Sequence, residues 1–241
     1  QLRDLLQDKP SIIVLTKMDL ADPKETRKWI EYYEKMGQPA VAINSVQGSL
    51  KVIDKKIKEV LAEKLANKKA RGILSQRIKV MCIGIPNVGK STLLNHLVKK
   101  NVAQVGNRPG VTKSQQWLKA GKDLQLLDTP GILWPKFEDP IVGKKLALTG
   151  AIKDTLYAKD DVALYEIEEF SAKNPQALIK RYKINEELLE LPTVEVLLEL
   201  TRKLGFKDDY ERASERLIFD CRKGKLGRYT LDDVPKDPAK V

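Results

Sequence analysis

Apolar positions follow two rhythms along this chain. Short unbroken runs at residues 11–15, 40–43 and 78–84 are too brief for helices and predict strands. Between the first two, residues 24–36 after Pro23 predict a helix. Val52, Ile53, Ile57, Val60, Leu61 and Leu65 recur at helical spacing and predict another. A glycine-rich turn after residue 84 leads into a helix expected over 91–100. Two more strands follow, at 115–118 and 124–128, turned at Gly121-Lys122. Alternation of this kind predicts an α/β fold: a mainly parallel sheet with helices on both faces. Beyond Lys159 only helical segments remain, at 163–170, 175–182, 193–204 and 213–221, punctuated by Pro192 and Gly205. The expected organisation is a domain over 1–159 followed by a small all-α domain over 160–241, with a frayed tail from Asp232 onward.

Composition narrows the class. The chain has 241 residues, 42% hydrophobic and 32% charged, enough for one large or two modest packed domains and unlike a disordered segment. Its longest apolar runs fall far short of the roughly 20 residues a membrane span needs. No leader pattern opens it, so neither membrane insertion nor secretion is expected. Cys82 and Cys221 lack CxxC or Cys/His spacing, which argues against a disulfide framework or zinc site and for a reducing compartment. The net charge of +11 is uneven: residues 1–159 carry +14 and residues 160–241 carry −3. Ten Lys/Arg against three acids lie between residues 51 and 79, and a second basic cluster spans Arg222-Lys-Gly-Lys-Leu-Gly-Arg228. Each is either a solvated face or a contact for nucleic-acid phosphates.

The chemistry lies at strand ends. Gly84-Ile-Pro-Asn-Val-Gly-Lys-Ser91 fits GxxxxGK[ST] between a predicted strand and a predicted helix, the context in which that pattern cradles phosphates. The amides of Asn87, Val88, Gly89, Lys90, Ser91 and Thr92 would point at phosphate oxygens, the Lys90 ammonium would reach the β- and γ-phosphates, and Ser91 offers a Mg2+ ligand. Asp128-Thr-Pro-Gly131 alone would read as a tight turn around Pro130. Beside a P-loop it supplies a carboxylate for Mg2+ through water and a Gly131 amide for a γ-phosphate. Thr112, in the loop between, offers a second hydroxyl to the metal. In Thr16-Lys17-Met18-Asp19, the Asp19 carboxylate can accept from guanine N1–H and the 2-amino group. Adenine has no such donor pair, so GTP/GDP is expected over adenine nucleotides, and an ATP-driven kinase is disfavoured. Asn44 and Ser45, after the next strand, place a backbone amide for guanine O6.

The order is unusual: base recognition precedes phosphate binding. With Arg108-Pro-Gly-Val-Thr112, Ser114-Gln-Gln-Trp117, the segment from Leu127 to Asp139 and Leu148-Thr-Gly-Ala-Ile-Lys153, this chain resembles the circularly permuted GTPases of the ribosome biogenesis GTPase A (YlqF/RbgA) family. The resemblance implies a P-loop NTPase fold and hydrolysis of GTP as a switch in late assembly of the large (50S) ribosomal subunit. It also implies contact with rRNA by the helical module and a cytoplasmic location. A monomer is expected, and no DNA or membrane partner. An alternative is a GTP-dependent ribosome-binding module whose hydrolysis contributes nothing to assembly. Lys90, Thr112, Gly131 and Asn87 are the catalytic candidates, Asn87 resembling a residue that lets K+ bind. Ile132 stands where many GTPases carry a water-orienting Gln, so slow intrinsic turnover is expected, stimulated by the particle. The lone His96 is expected to be structural. The family carries an upstream segment with a central strand and a histidine suggested as catalytic, so an interruption in mid-sheet is expected from these residues alone.

Overall fold

Pro23 and Asp22 set the first helix. Proline at the first helical position forfeits no internal hydrogen bond. The Asp22 carboxylate accepts from the amides of Lys24 (2.7 Å) and Glu25 (3.0 Å) and so caps α1 (Pro23–Lys35). In this computed structural model, which describes residues 9–44, 51–72, 77–98, 116–120, 124–133 and 137–235, α1 joins two parallel strands. These are β1 (Ile13–Leu15) and β2 (Ala40–Ala42), with Val14 opposite Val41. The long amphipathic pattern that follows is broken at Leu61 into α2 (Lys51–Val60) and α3 (Ala62–Ala70).

β3 (Ile78–Cys82) leads into the glycine-rich turn and α4 (Lys90–Val98). β4 (Gln116–Ala120) and β5 (Leu124–Asp128) pair antiparallel, while β3 pairs parallel with β5, giving the order β3-β5-β4. The expected interruption is present: among the described residues the strands form one two-stranded and one three-stranded sheet, with no ladder between them. A single apolar cluster nevertheless spans both. Val41 of β2 and Ile43 just after it join Leu118, Leu124 and Leu126 of the second sheet through Ile53 and Ile57 of α2 and Leu93 and Leu94 of α4. Burying side chains of this size stabilises the fold by about 1.5–3 kcal/mol each. The shared core therefore registers the two sheets, between which the described residues place no hydrogen-bonded strand.

The helical region is built on α6 (Lys159–Lys173), which buries residues on most of its circumference. Around it pack α5 (Pro140–Leu148), α7 (Pro175–Tyr182), a 3-10 turn (Glu186–Glu190), α8 (Thr193–Lys203) and α9 (Tyr210–Arg222). Its core takes in Ala147 and Leu148 of α5, ahead of residue 160, together with Ile167, Leu178, Leu200 and Leu217, which are wholly buried. No helix among the described residues is long and apolar enough to cross a membrane.

Two expectations need correction. The tail does not fray from Asp232: its backbone carbonyl accepts from the Trp29 indole (3.2 Å) and its carboxylate pairs with Lys145 (2.7 Å), which ties it to both halves. His96 lies exposed on α4, outside the packed face formed by its buried neighbours Leu93, Leu94 and Asn95.

Candidate nucleotide site

The loop after β3 reverses the chain through two residues with left-handed backbone, Asn87 (φ 55°) and Gly89 (φ 100°). Glycine adopts that conformation freely; asparagine tolerates it better than most side chains. The turn delivers α4 with its first amides, those of Lys90, Ser91 and Thr92, at the mouth of the loop. Lys90 is buried, and its ammonium donates to the carbonyls of Gly84 (2.9 Å) and Ile85 (2.8 Å). Burial pulls the Lys90 pKa down, with Cys82 and the Asp128 carboxylate acting in the opposite direction. The same burial pushes the Cys82 thiol up to about 11, so it is an inert packing group at neutral pH.

Asp128 ends β5 directly opposite Cys82 and is fully buried. Thr129 then donates its hydroxyl to the Cys82 carbonyl (2.7 Å), and the Ile132 amide reaches the Gly84 carbonyl (3.3 Å). Gly131 sits so close to the P-loop that a Cβ there would fall 2.6 Å from the backbone N and Cα of Pro86. Only glycine fits, which makes the contact between the two phosphate-side loops a backbone-on-backbone one. The Ile132 side chain is 65% exposed and has nothing to offer a water molecule.

The base-side loop arrives from the other sheet. Thr16 donates its hydroxyl to the Val88 carbonyl (2.5 Å) across 72 residues of sequence. The Met18 amide donates to Ile43 O (3.2 Å), seating the loop beside Asn44. Lys17 adopts left-handed backbone (φ 53°). Its pKa is lowered by burial and then by the Arg222 guanidinium, with Asp19 pulling it up. The structure thus brings together Thr16, Lys17, Met18, Asp19, Asn44, Asn87, Val88, Gly89, Lys90, Ser91, Thr92, Asp128 and Gly131. Ser45 and Thr112 lie outside the described residues, as does Arg108.

Among the described residues no three His, Cys, Asp or Glu side chains gather as a metal site. Mg2+ does not require such a cluster, being commonly held by one or two protein oxygens plus substrate phosphates rather than by an all-protein cage. A buried Asp128 beside Lys90 at a helix N-terminus has the right chemistry for that ion and its phosphates.

Contacts with the helical half carry no motif in the sequence. The Asn87 side-chain amide donates to Gly150 O (3.2 Å), and Gly150 is boxed in by Asn87 and Arg222. Arg222 is committed inside the protein. It donates to Ala147 O (2.6 Å) and Leu148 O (2.9 Å) and pairs with Asp154 (3.0 Å). Lys225 pairs with Asp220 (3.1 Å), and Arg228 donates to the Asp19 carbonyl (3.0 Å). Of the second basic cluster, Arg222 is thus drawn inside and Lys225 and Arg228 are engaged in intramolecular bonds, while Lys223, Lys225 and Arg228 stay exposed at the surface. The sequence signal of a docked segment here is the set of apolar positions Leu226, Tyr229 and Leu231 beside Gly224 and Gly227.

A strand, glycine turn and helix holding a buried lysine, a DxxG loop fitted against that turn, and a TKMD loop bonded to it define a P-loop GTPase. Its base motif comes before its phosphate motifs in sequence, yet the two meet in space. A family model described as 50S ribosome-binding GTPase matches residues 79–199, and one described as RsgA GTPase matches residues 6–138. The ribosome biogenesis GTPase A of Priestia megaterium is 44% identical over 241 residues, covering 95% of this chain and 82% of that protein. That of Bacillus pumilus is 45% identical, covering 96% and 83%. The GDP-bound structure of YlqF from T. maritima superposes with a TM-score of 0.66 at 26% identity, over 94% of this chain and 84% of that one. The chain belongs to the ribosome biogenesis GTPase A family.

Proposed function

We propose that this protein binds GTP and hydrolyses it to GDP and phosphate as a switch in late assembly of the large ribosomal subunit, in the cytoplasm. The observation that carries this reading is the fit of Gly131 against Pro86, with Lys90, Asp128 and the Thr16–Val88 bond around it. Phosphate and base loops meet there, although 72 residues separate Thr16 from Val88. Lys90 and the α4 amides would take the β- and γ-phosphates, with the Gly131 amide at the γ-phosphate. Asp19 would take guanine N1–H and its 2-amino group, with Lys17 along the base plane and Asn44 and Ser45 at O6. Ser91, Thr112 and, through water, Asp128 would hold Mg2+, which when bound neutralises charge developing on the phosphates. Asn87, whose side-chain nitrogen is engaged with Gly150, would present its carbonyl oxygen to K+. With Ile132 in the usual water-orienting position, turnover is slow until the particle supplies the missing group.

Residues 1–159 serve as the nucleotide-binding part and 160–241 as the part that meets rRNA. The basic face between residues 51 and 79 supplies further phosphate contacts. GTP turnover with and without large subunits, first in K+ and then in Na+, tests the reading. Acceleration by subunits and by K+ is expected. Equal rates in all four conditions would remove both the particle and the cation from the account.

A further inference from the structure

After α9 the chain does not leave the molecule. Residues 224–232 run back across the helical core and along the base-side loop. Leu226 and Leu231 are buried in the helical core, and the Tyr229 ring packs edge-on to Phe170 with centroids 5.2 Å apart. With its apolar side chains anchored there, the segment turns its polar groups to the other half. The Tyr229 amide donates to Leu20 O (2.9 Å), Arg228 Nε donates to Asp19 O (3.0 Å), and the Thr230 hydroxyl accepts from the Asp22 amide (3.2 Å). Gly224, in left-handed backbone (φ 67°), lies so close that a Cβ would come within 2.8 Å of the Leu20 side chain. The main-chain groups met on the other side, Asp19 O, Leu20 O and the Asp22 amide, all belong to the loop that carries the Asp19 carboxylate or to the cap that follows it.

We infer that residues 224–232 are a strap through which the helical core positions the guanine-reading loop, with Arg228 and Tyr229 as positioning residues for Asp19. The inference rests on the reading of the Thr16 to Asp19 loop as the guanine site. A carboxylate accepts two bonds from guanine only if its plane lies along the base edge, so a loop free to rotate a few tens of degrees loses one of them. Hypoxanthine, which has N1–H but no 2-amino group, never makes the second bond. Releasing the strap therefore costs a guanine nucleotide more than its hypoxanthine counterpart. A strap that merely welds the halves together would leave that ratio alone. Coupling is also reciprocal: a strap that favours bound nucleotide is itself favoured by it.

The test measures affinities of the whole chain for GDP and IDP by competition against a fluorescent GDP. In the Arg228→Ala, Thr230→Ala double variant, GDP affinity is expected to fall about 5-fold and IDP affinity less than about 2-fold, the size of effect for one missing hydrogen bond. Gly224→Ala, which strains a left-handed backbone (φ 67°) and crowds the Leu20 side chain, should lower the GDP/IDP ratio in the same direction, and Arg228→Lys, which keeps a donor, should restore part of it. Amide exchange in residues 226–231 should slow when GDP binds. Unchanged GDP affinity, or equal losses for both nucleotides, overturns the strap's role while the guanine site stands. A wild-type chain that does not prefer GDP to IDP, or an Asp19→Asn variant with unaltered preference, overturns the guanine site and the strap with it.

Discussion

The two halves of this protein are held together by different physics. In the helical half, α6 lies in a continuous core where Ile167, Leu178, Leu200 and Leu217 have no exposed surface. In the nucleotide half the sheets are short and divided, Met81 and Trp117 are about half exposed, and the working loops are fixed by single bonds such as Thr16 to Val88. Loops that must close on a phosphate have to come from the less stable end of a structure. The helical half supplies a stiff reference against which they are set.

Breaking each half in turn should separate their roles. Lys90→Ala should lower GTP turnover by at least about 100-fold, the scale for removing a preorganised charge at a developing anion. The thermal unfolding of the helical half should be unmoved, as followed by proteolysis within α6 to α9. Leu200→Ala should do the opposite. It should cost about 2–5 kcal/mol in denaturant unfolding and loosen the helical half first, with GDP affinity falling only as the strap detaches. Similar losses in both halves for either variant would mean that they unfold as one unit.

A subtler asymmetry concerns charge. Glu166 is fully buried in α6 with no hydrogen-bond partner among the described residues. Burial, reinforced by the nearby Asp220 carboxylate, raises its pKa well above the usual carboxylate range, with Arg222 opposing. Asp220 goes the other way: burial would raise it, but hydrogen bonds from Arg181 and Lys225 hold it below the usual value. A raised carboxyl contributes its full stability below its unfolded pKa of about 4.3 and loses it as pH climbs through the folded value. Stability of the helical half should therefore decline as pH rises above the unfolded value, and Glu166→Gln should flatten that decline. Parallel pH profiles for the two proteins would show the residue to be better solvated than its position implies. The smallest expected effect is on the basic face. Neutralising Lys68, Lys69 and Arg71 should make the salt dependence of rRNA binding shallower, its slope falling by up to about 1 for each phosphate that these side chains neutralise. An unchanged slope would assign that run to solvent.

Much of the nucleotide half is legible directly in the sequence. The β3 run, the glycine turn and α4 announce themselves because period, turn chemistry and motif coincide over residues 78–98. Asp128 falls at a strand end, as its motif implies, for the same reason. Two kinds of feature were illegible. Main-chain contacts carry no residue signature, so nothing in Tyr229 says that its amide meets Leu20. Charge runs look alike whether solvated or spent, so Arg222, which binds two carbonyls and Asp154, was indistinguishable from an RNA-facing arginine. The break at Leu61 was also hidden, because the apolar spacing continues smoothly through it.

The Thr16–Val88 bond has a bearing on synthesis. A ribosome adds about 5–20 residues per second, so the base-reading loop emerges roughly 4–14 s before the carbonyl that holds it. Its second support, the amide of Tyr229, follows more than a hundred residues later still. The TKMD motif is thus supported by a segment translated about two hundred residues after it. On the proposed reading of both features, a chain terminated before residue 224 would carry an intact TKMD sequence and still discriminate poorly among purines, so nucleotide selectivity would itself report that translation has run through to the strap.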